Sequence, residues 1–428
     1  MKVLRPTDRG YEKALASLDR RATPDPKVRS LVADILAAIE KDGDDALLRY
    51  VKKFGGPSLS ASQIPVAPAE TARAIAELPA PVRRAISAAR ANVRNFARRS
   101  LRKSWFMKNR QGAVVGERFD PFQRVGIYIP GGNAPLVSSA VMTCTLASAA
   151  GVREIVAVTP SGKDGRVHPA LLAALAGCGA TEIYRVGGAQ AVAALALGTK
   201  TIRPVQKIFG PGNAWVVEAK RQVFGRVAVD LLPGPSEVLV IADHTANPAW
   251  IAADLLAQSE HGRGSIAILV TDSAKILSAV EKSLAKQIKL SSRPKELAAA
   301  LGNAALVLVR DMDAAIRLAN ACAPEHVSIA TGSPGEIALH LTTSGAIFLG
   351  GISPVVGGDF LAGPSHELPT GGAGKSFAGL TVDQFQRRTS VVMFDGPSLR
   401  ASLPYLETFS EIEGLDAHGR SARLRLEK

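Results

Sequence analysis

From about residue 124 to residue 349 the chain repeats one pattern: a short apolar run, a turn, then an alanine-rich stretch of helical length. The apolar runs are 125–129, 155–158, 182–186 and 206–209, then 238–242, 267–271, 305–309, 327–330 and 346–349. Helical stretches 136–150, 169–176, 189–197 and 213–223 alternate with the first four. Strands joined through a helix run parallel, because such a crossover returns the chain to the sheet in the same direction. Parallel strands are covered on both faces, so they are apolar throughout instead of alternating. The pattern predicts an α/β fold with two doubly wound, Rossmann-like, mostly parallel sheets, one for each series. Leu232-Pro233-Gly234-Pro235-Ser236 punctuates the boundary between them. Residues 27–100 carry helical periodicity in Val28, Leu31, Ile35 and Ile39, and the alternation stops after Ser376. The remaining tail, 377–428, suits an arm that packs on another surface.

A hydrophobic content of 46% against 21% charged residues belongs to a soluble globular chain and not a disordered one. The most apolar window, 137–152, is interrupted by Ser, Thr and Gly and is too short for a bilayer, so no membrane partner is expected. Cys144, Cys178 and Cys322 are odd in number and lack C-x-x-C spacing, which favours a reducing compartment. No apolar core follows the charges of the first residues, so a secretory signal is not expected and a cytoplasmic location is. The net charge of +14 is densest at 94–110, where Arg98, Arg99, Arg102, Lys103 and Lys108 surround Phe96, Trp105 and Phe106. A nucleic-acid surface is one reading of it. The preferred one is the solvated side of a helix over 81–103, with Val82, Ile86, Val93 and Phe96 facing inward.

Four of the seven histidines lie in the last 170 or so residues beside acidic partners. Gln258 and His261 stand three apart at the end of a helical pattern, a spacing that puts both on one helix face. Glu325-His326 opens a strand after Pro324, and an acid beside a histidine in a cleft can do proton-transfer work. Asp359 follows two glycines on an expected tight loop, His366 follows Gly-Pro-Ser, and Glu413 and His418 come from the tail. Without a cysteine nearby, such a set reads as nitrogen and oxygen ligation of a catalytic zinc rather than a structural one. Gly131-Gly132-Asn133 and Gly210-Pro211-Gly212-Asn213 fall where strands feed helices, the place where α/β sheets bind ligands. Trp215 occupies the third glycine position of a G-x-G-x-x-G, and Gly371–Ser376 lacks Walker spacing, so neither is a nucleotide signature by itself.

Together these segments resemble the histidinol dehydrogenase family. The likeness is carried by RVGIYIPGGNAP at 124–135, GPSEVLVIAD at 234–243, APEHV at 323–327, GDFLAGPSHELPT at 358–370 and EGLDAH at 413–418. The resemblance implies zinc held by Gln258, His261, Asp359 and His418, with Glu325 and His326 as the acid/base pair. It implies substrate contacts at Ser236, His366 and Glu413 in addition to His326 and the metal-binding side chains, and NAD contacts at Tyr128, Gln190 and Asn213. L-Histidinol would be oxidised to L-histidine through L-histidinal with two NAD, in a homodimer whose tail reaches the neighbouring site. The implied domains are an N-terminal segment 1–24, a zinc-binding catalytic domain of 25–125 plus 236–376, an NAD-binding domain 126–235, and a dimerisation tail 377–428. Phe360, Ser365 and Glu367 stand where the family often has Tyr, Asn and Val, a departure within the substrate loop. Dehydrogenases of sulfopropanediol share the fold and are the alternative within the class.

Overall fold

The computed structural model describes residues 1–19, 25–131, 135–262 and 264–427. Gly132 and Asn133 of the first glycine segment lie outside the described residues. Two parallel sheets form the body. One has five strands in the order Glu182–Tyr184, Glu154–Val158, Arg124–Tyr128, Lys207–Phe209, Ala228–Val229. The other has six, in the order Lys2–Leu4, Ala305–Leu308, Ile266–Thr271, Glu237–Ala242, His326–Ala330, Ala346–Leu349. Every pairing within both is parallel.

The strand sequences account for the layering. In Glu237–Ala242, Val238 and Val240 pack with Ile251 and Leu255 on one face, while Leu239 and Ile241 pack with Leu318 and Ala319 on the other. Each run is therefore apolar at both parities and buries both faces under helices. The helices begin with local signals: Asn247 caps Pro248–Ser259, Asp311 caps Met312–Cys322, and Asn213 caps Ala214–Val223.

Three features differ from the sequence reading. Residues 1–24 are not a segment apart: Lys2–Leu4 pairs with Ala305–Leu308 as the edge of the six-stranded sheet, and Tyr11–Ala16 is helical after it. The helices of 26–100 do not join the catalytic sheet. Val32, Ile35 and Ile39 pack with Val192 and Val216, and Ala89, Val93 and Ala97 pack with Val141 and Leu172, all on the five-stranded sheet. Last, Trp105–Lys108, Val114–Pro121 and Gln386–Met393 build a small antiparallel sheet, through which the tail is tied back to the body.

The basic helix Ala80–Ser100 buries Ala89, Val93 and Ala97, whereas Phe96 is exposed, so its inward face is turned from the expected one by the alanines. The three cysteines are free and buried as small core residues. Among the described residues no helix is long and apolar enough to cross a membrane.

Candidate active site

A crossover helix runs antiparallel to the strands it joins, so its C-terminus returns to the amino ends of the sheet. Pro248–Ser259 thereby delivers Gln258 and His261 to the edge where Glu237–Ala242 and His326–Ala330 begin. The carboxyl ends of the five-stranded sheet face the same edge through Ser139, Pro211 and Gly212, enclosing a cleft of about 380 Å³. Ser236, Gln258, His261, Glu325, His326, Asp359 and His366 all line it. The cleft thus lies at the carboxyl ends of one sheet and at the amino ends of the other, where Glu325 and His326 stand.

Glu325 and His326 are both buried. One carboxylate oxygen of Glu325 accepts from Ser236 Oγ at 2.5 Å and from the Glu237 backbone N–H at 2.9 Å. Ser236 thus orients the glutamate whatever else it touches. His326 Nδ1 lies 3.1 Å from the Glu237 carbonyl, and Nε2 lies 3.5 Å from Asp359 Oδ1. Nδ1 therefore donates, which leaves Nε2 as the working nitrogen in the neutral ring. Burial alone would lower the His326 pKa, but the hydrogen bond to Asp359 and the charges of Glu325 and Asp359 outweigh it and raise it. The turn that sets the pair starts at Ala323, whose φ of 45° makes it the only non-glycine residue at positive φ among those described. Holding an alanine there costs about 1 kcal/mol and is typical of a residue whose surroundings dictate its shape.

Asp359 is not on a loop. It belongs to the short helix Val355–Phe360, and the preceding glycine serves close packing: a Cβ on Gly358 would sit 2.6 Å from the Phe348 ring. Burial would raise the Asp359 pKa, but the hydrogen bond and charge of His326, with His366 and His261 behind it, hold it below the usual range. His366 Nδ1 lies 2.7 Å from the Asp359 carbonyl, with Nε2 at 3.3 Å from Ser139 Oγ and 3.6 Å from Glu367. Burial would lower its pKa; the Glu367 carboxylate reverses that and lifts it to about 9. Gln258 is buried, and its amide nitrogen has no hydrogen-bond partner. His261 lies in the turn beyond the helix end, with its N–H on the Gln258 carbonyl at 3.3 Å, so a turn and not a helix face brings the two into one cleft. Arg263, the next landmark, lies outside the described residues.

The donor set suits zinc in kind: the amide oxygen of Gln258, an imidazole and a carboxylate, all lining one cleft. It is incomplete in number. Among the described residues, no three His, Cys, Asp or Glu side chains converge on a point. Glu413 and His418 are exposed on the tail and do not line the cleft of their own chain.

A second cleft, of about 370 Å³, opens at the carboxyl ends of the five-stranded sheet and is lined by Tyr128, Gln190 and Asn213. The Tyr128 hydroxyl accepts from the Gly188 N–H at 3.1 Å, and Gln190 Oε1 is buried without a partner. Phe54 and Trp215, tilted by 47° with ring centroids 6.2 Å apart, line the same cleft with aromatic surface. The two clefts are neighbours across the loop 211–213.

A sequence model of histidinol dehydrogenase matches residues 18–426. The chain belongs to the histidinol dehydrogenase family. It is 43% identical over 401 residues to the histidinol dehydrogenase of Geobacillus kaustophilus, covering 94% of both chains. It is 44% identical to that of Bradyrhizobium diazoefficiens over 93% of this chain and 94% of that one. The crystal structure of histidinol dehydrogenase from Elizabethkingia anophelis superposes with a TM-score of 0.94 at 33% identity, over 100% of this chain and 98% of that one. The chain is accordingly an oxidoreductase with the histidinol dehydrogenase function of histidine biosynthesis.

Sequence reasoning passed over several residues of the two clefts. Asp254 lines the first, one turn before Gln258, and burial lifts its pKa to about 6. Its signal was an aspartate in an otherwise apolar helix. Ser139 gave no signal, being one of several serines in an apolar stretch. Phe54 belongs to a helix end whose partner, Trp215, lies far away in sequence.

Proposed function

We propose that the chain oxidises L-histidinol to L-histidine through L-histidinal with two NAD and one zinc ion per subunit. The observation that carries the substrate is the charge of the first cleft. Its described lining holds five carboxylates, Asp254, Glu260, Glu325, Asp359 and Glu367, against one charged imidazole, His366, and no Lys or Arg. Such a lining attracts a cationic amine and an imidazole, and repels the sulfonate of the sulfopropanediol alternative.

Gln258, His261 and Asp359 would hold the zinc, with His418 supplied by a second copy of the chain. When bound, the ion holds and polarises the substrate, and NAD accepts the hydride at each oxidation. His326 Nε2 takes the hydroxyl proton as the alcohol becomes the aldehyde. Glu325 then removes a proton from the water that adds to the aldehyde carbon, and the hydrate loses the second hydride to leave the carboxylate. Burial of both residues keeps bulk water from the aldehyde between the steps. Tyr128, Gln190 and Asn213, with Phe54 and Trp215, would seat the dinucleotide. The homodimer is favoured by the tail, where Val392, Met393, Phe394, Tyr405, Phe409 and Ile412 are all exposed.

The test is steady-state NADH production with L-histidinol and with a sulfonated diol, before and after chelation. Turnover of histidinol alone, abolished by the chelator and restored by zinc, is the expected result. Preference for the diol refutes the substrate, and full turnover in a rigorously metal-free preparation refutes the ion.

A further inference from the structure

The wall between the two clefts contains a buried ion pair that the chemistry above does not use. Lys220 lies on the helix Ala214–Val223 and Asp230 just after the strand Ala228–Val229, with side-chain exposures of 0% and 3%. They pair directly, and both also bond to one residue. Lys220 Nζ donates to the Gly210 carbonyl at 2.9 Å, and Asp230 Oδ2 accepts from the Gly210 N–H at 2.7 Å. Gly210 has a φ of 112°, and a Cβ there would lie 2.1 Å from the Tyr128 carbonyl, so the loop is pressed onto the neighbouring strand. The next three residues diverge in use: Pro211 and Gly212 line the cleft with Glu325 and His326, whereas Asn213 lines the other beside Tyr128 and Gln190.

A buried ion pair adds little net stability, since desolvating both charges offsets most of their attraction. Well-packed apolar residues could fill that space. What they could not do is hold the N–H and the C=O of a single glycine at once, and that fixes the direction in which the loop leaves the strand. We propose that Lys220 and Asp230 are positioning residues for the dinucleotide: by clamping Gly210 they set the 211–213 loop as the shared wall, so that the cofactor ring and the substrate meet in register. The proposal rests on the reading of the second cleft as the NAD site.

The experiment measures NADH affinity by fluorescence titration, with Tm and histidinol KM alongside, on the full-length protein. Lys220→Met strands a buried carboxylate, so both Tm and NADH affinity should fall, the affinity by about tenfold. The deciding variant is Lys220→Met with Asp230→Leu, which removes both charges. Its Tm should rise above that of Lys220→Met, though the Gly210 N–H and C=O left without partners hold it below wild type, while its NADH affinity stays about tenfold weak. If NADH affinity recovers together with Tm, the pair is only structural and the proposal is overturned. If the double variant does not fold, Asp230→Asn decides: it keeps the shape and an acceptor for Gly210 but loses the charge that holds Lys220. Roughly fivefold weaker NADH binding is expected there, and wild-type affinity overturns the proposal. Failure of wild-type protein to bind NADH would instead refute the cofactor reading itself, and the positioning role with it.

Discussion

At the scale of single residues, the roles of Glu325 and His326 separate by what holds them. One Glu325 oxygen is committed to Ser236 Oγ and the Glu237 N–H, both donors that a glutamine oxygen can also serve. Glu325→Gln should therefore fold normally and lose chemistry alone. Its expected defect is a fall of roughly 10² to 10⁴ in oxidation of supplied histidinal, with a smaller loss on the alcohol. His326→Ala should impair the alcohol step as well. Separate assays of the two half-reactions check this, and equal losses in both for Glu325→Gln would refute the division of labour. The pair itself was legible in the sequence, because an acid beside a histidine after Pro324 is a local signal. That Ser236 serves Glu325 was not, since the two lie 89 positions apart.

At the scale of elements, the N-terminal ends of three strands are stapled by charge. Arg124, nearly buried, bonds Glu154 at 2.6 Å and Glu182 at 2.6 and 2.8 Å, joining Arg124–Tyr128 to the adjacent Glu154–Val158 and to Glu182–Tyr184 beyond it. The hydrogen bond from Arg124, helped by Tyr184, holds the Glu182 pKa at about 2. A carboxylate whose folded pKa lies below its unfolded value of about 4.3 stabilises the fold fully above that value. The contribution is lost as pH falls from about 5 towards 2, when Glu182 takes up a proton in the folded protein. Melting curves should therefore show wild type above Glu182→Gln at pH 7, with the gap roughly halved by about pH 3 and closing only towards pH 2. A constant gap would show that the staple carries no charge contribution. Secondary structure was largely readable because both faces of each central strand are apolar. The antiparallel sheet was missed because Val114–Pro121 pairs with Gln386–Met393, more than 260 positions later, and nothing local marks that partner.

At the scale of the whole molecule, the cleft is complete except for what the tail would bring. Gln258, His261 and Asp359 line it, while His418 stands exposed in the same chain. If the tail docks on a second copy, each site combines His261 of one chain with His418 of the other. His261→Ala and His418→Ala homodimers should each be nearly inactive. Unfolded and refolded together, half the dimers are mixed, and each of these carries one intact site. Activity should return to roughly a quarter of wild type. A mixture that stays inactive despite proven subunit exchange would mean that the tail serves its own chain. Without a partner, the tail's exposed Tyr405, Phe409 and Ile412 have nothing to cover them.

What the sequence determined by itself is what depends on neighbours in the chain: the parallel sheets, the caps, and the segments that hold the acid, the histidines and the amide. Periodicity and capping act over a few residues, so a linear reading recovers them. Only the tertiary structure decided which sheet the helices of 26–100 cover, that Lys2–Leu4 is an edge strand, and that Glu325 and His326 face a cleft at the amino ends of their sheet. It also decided that Asp359 stands on a short helix and that Gly358 before it makes room for the Phe348 ring. These outcomes depend on packing between segments tens to hundreds of residues apart, where many arrangements share one local pattern and only the filled core selects among them.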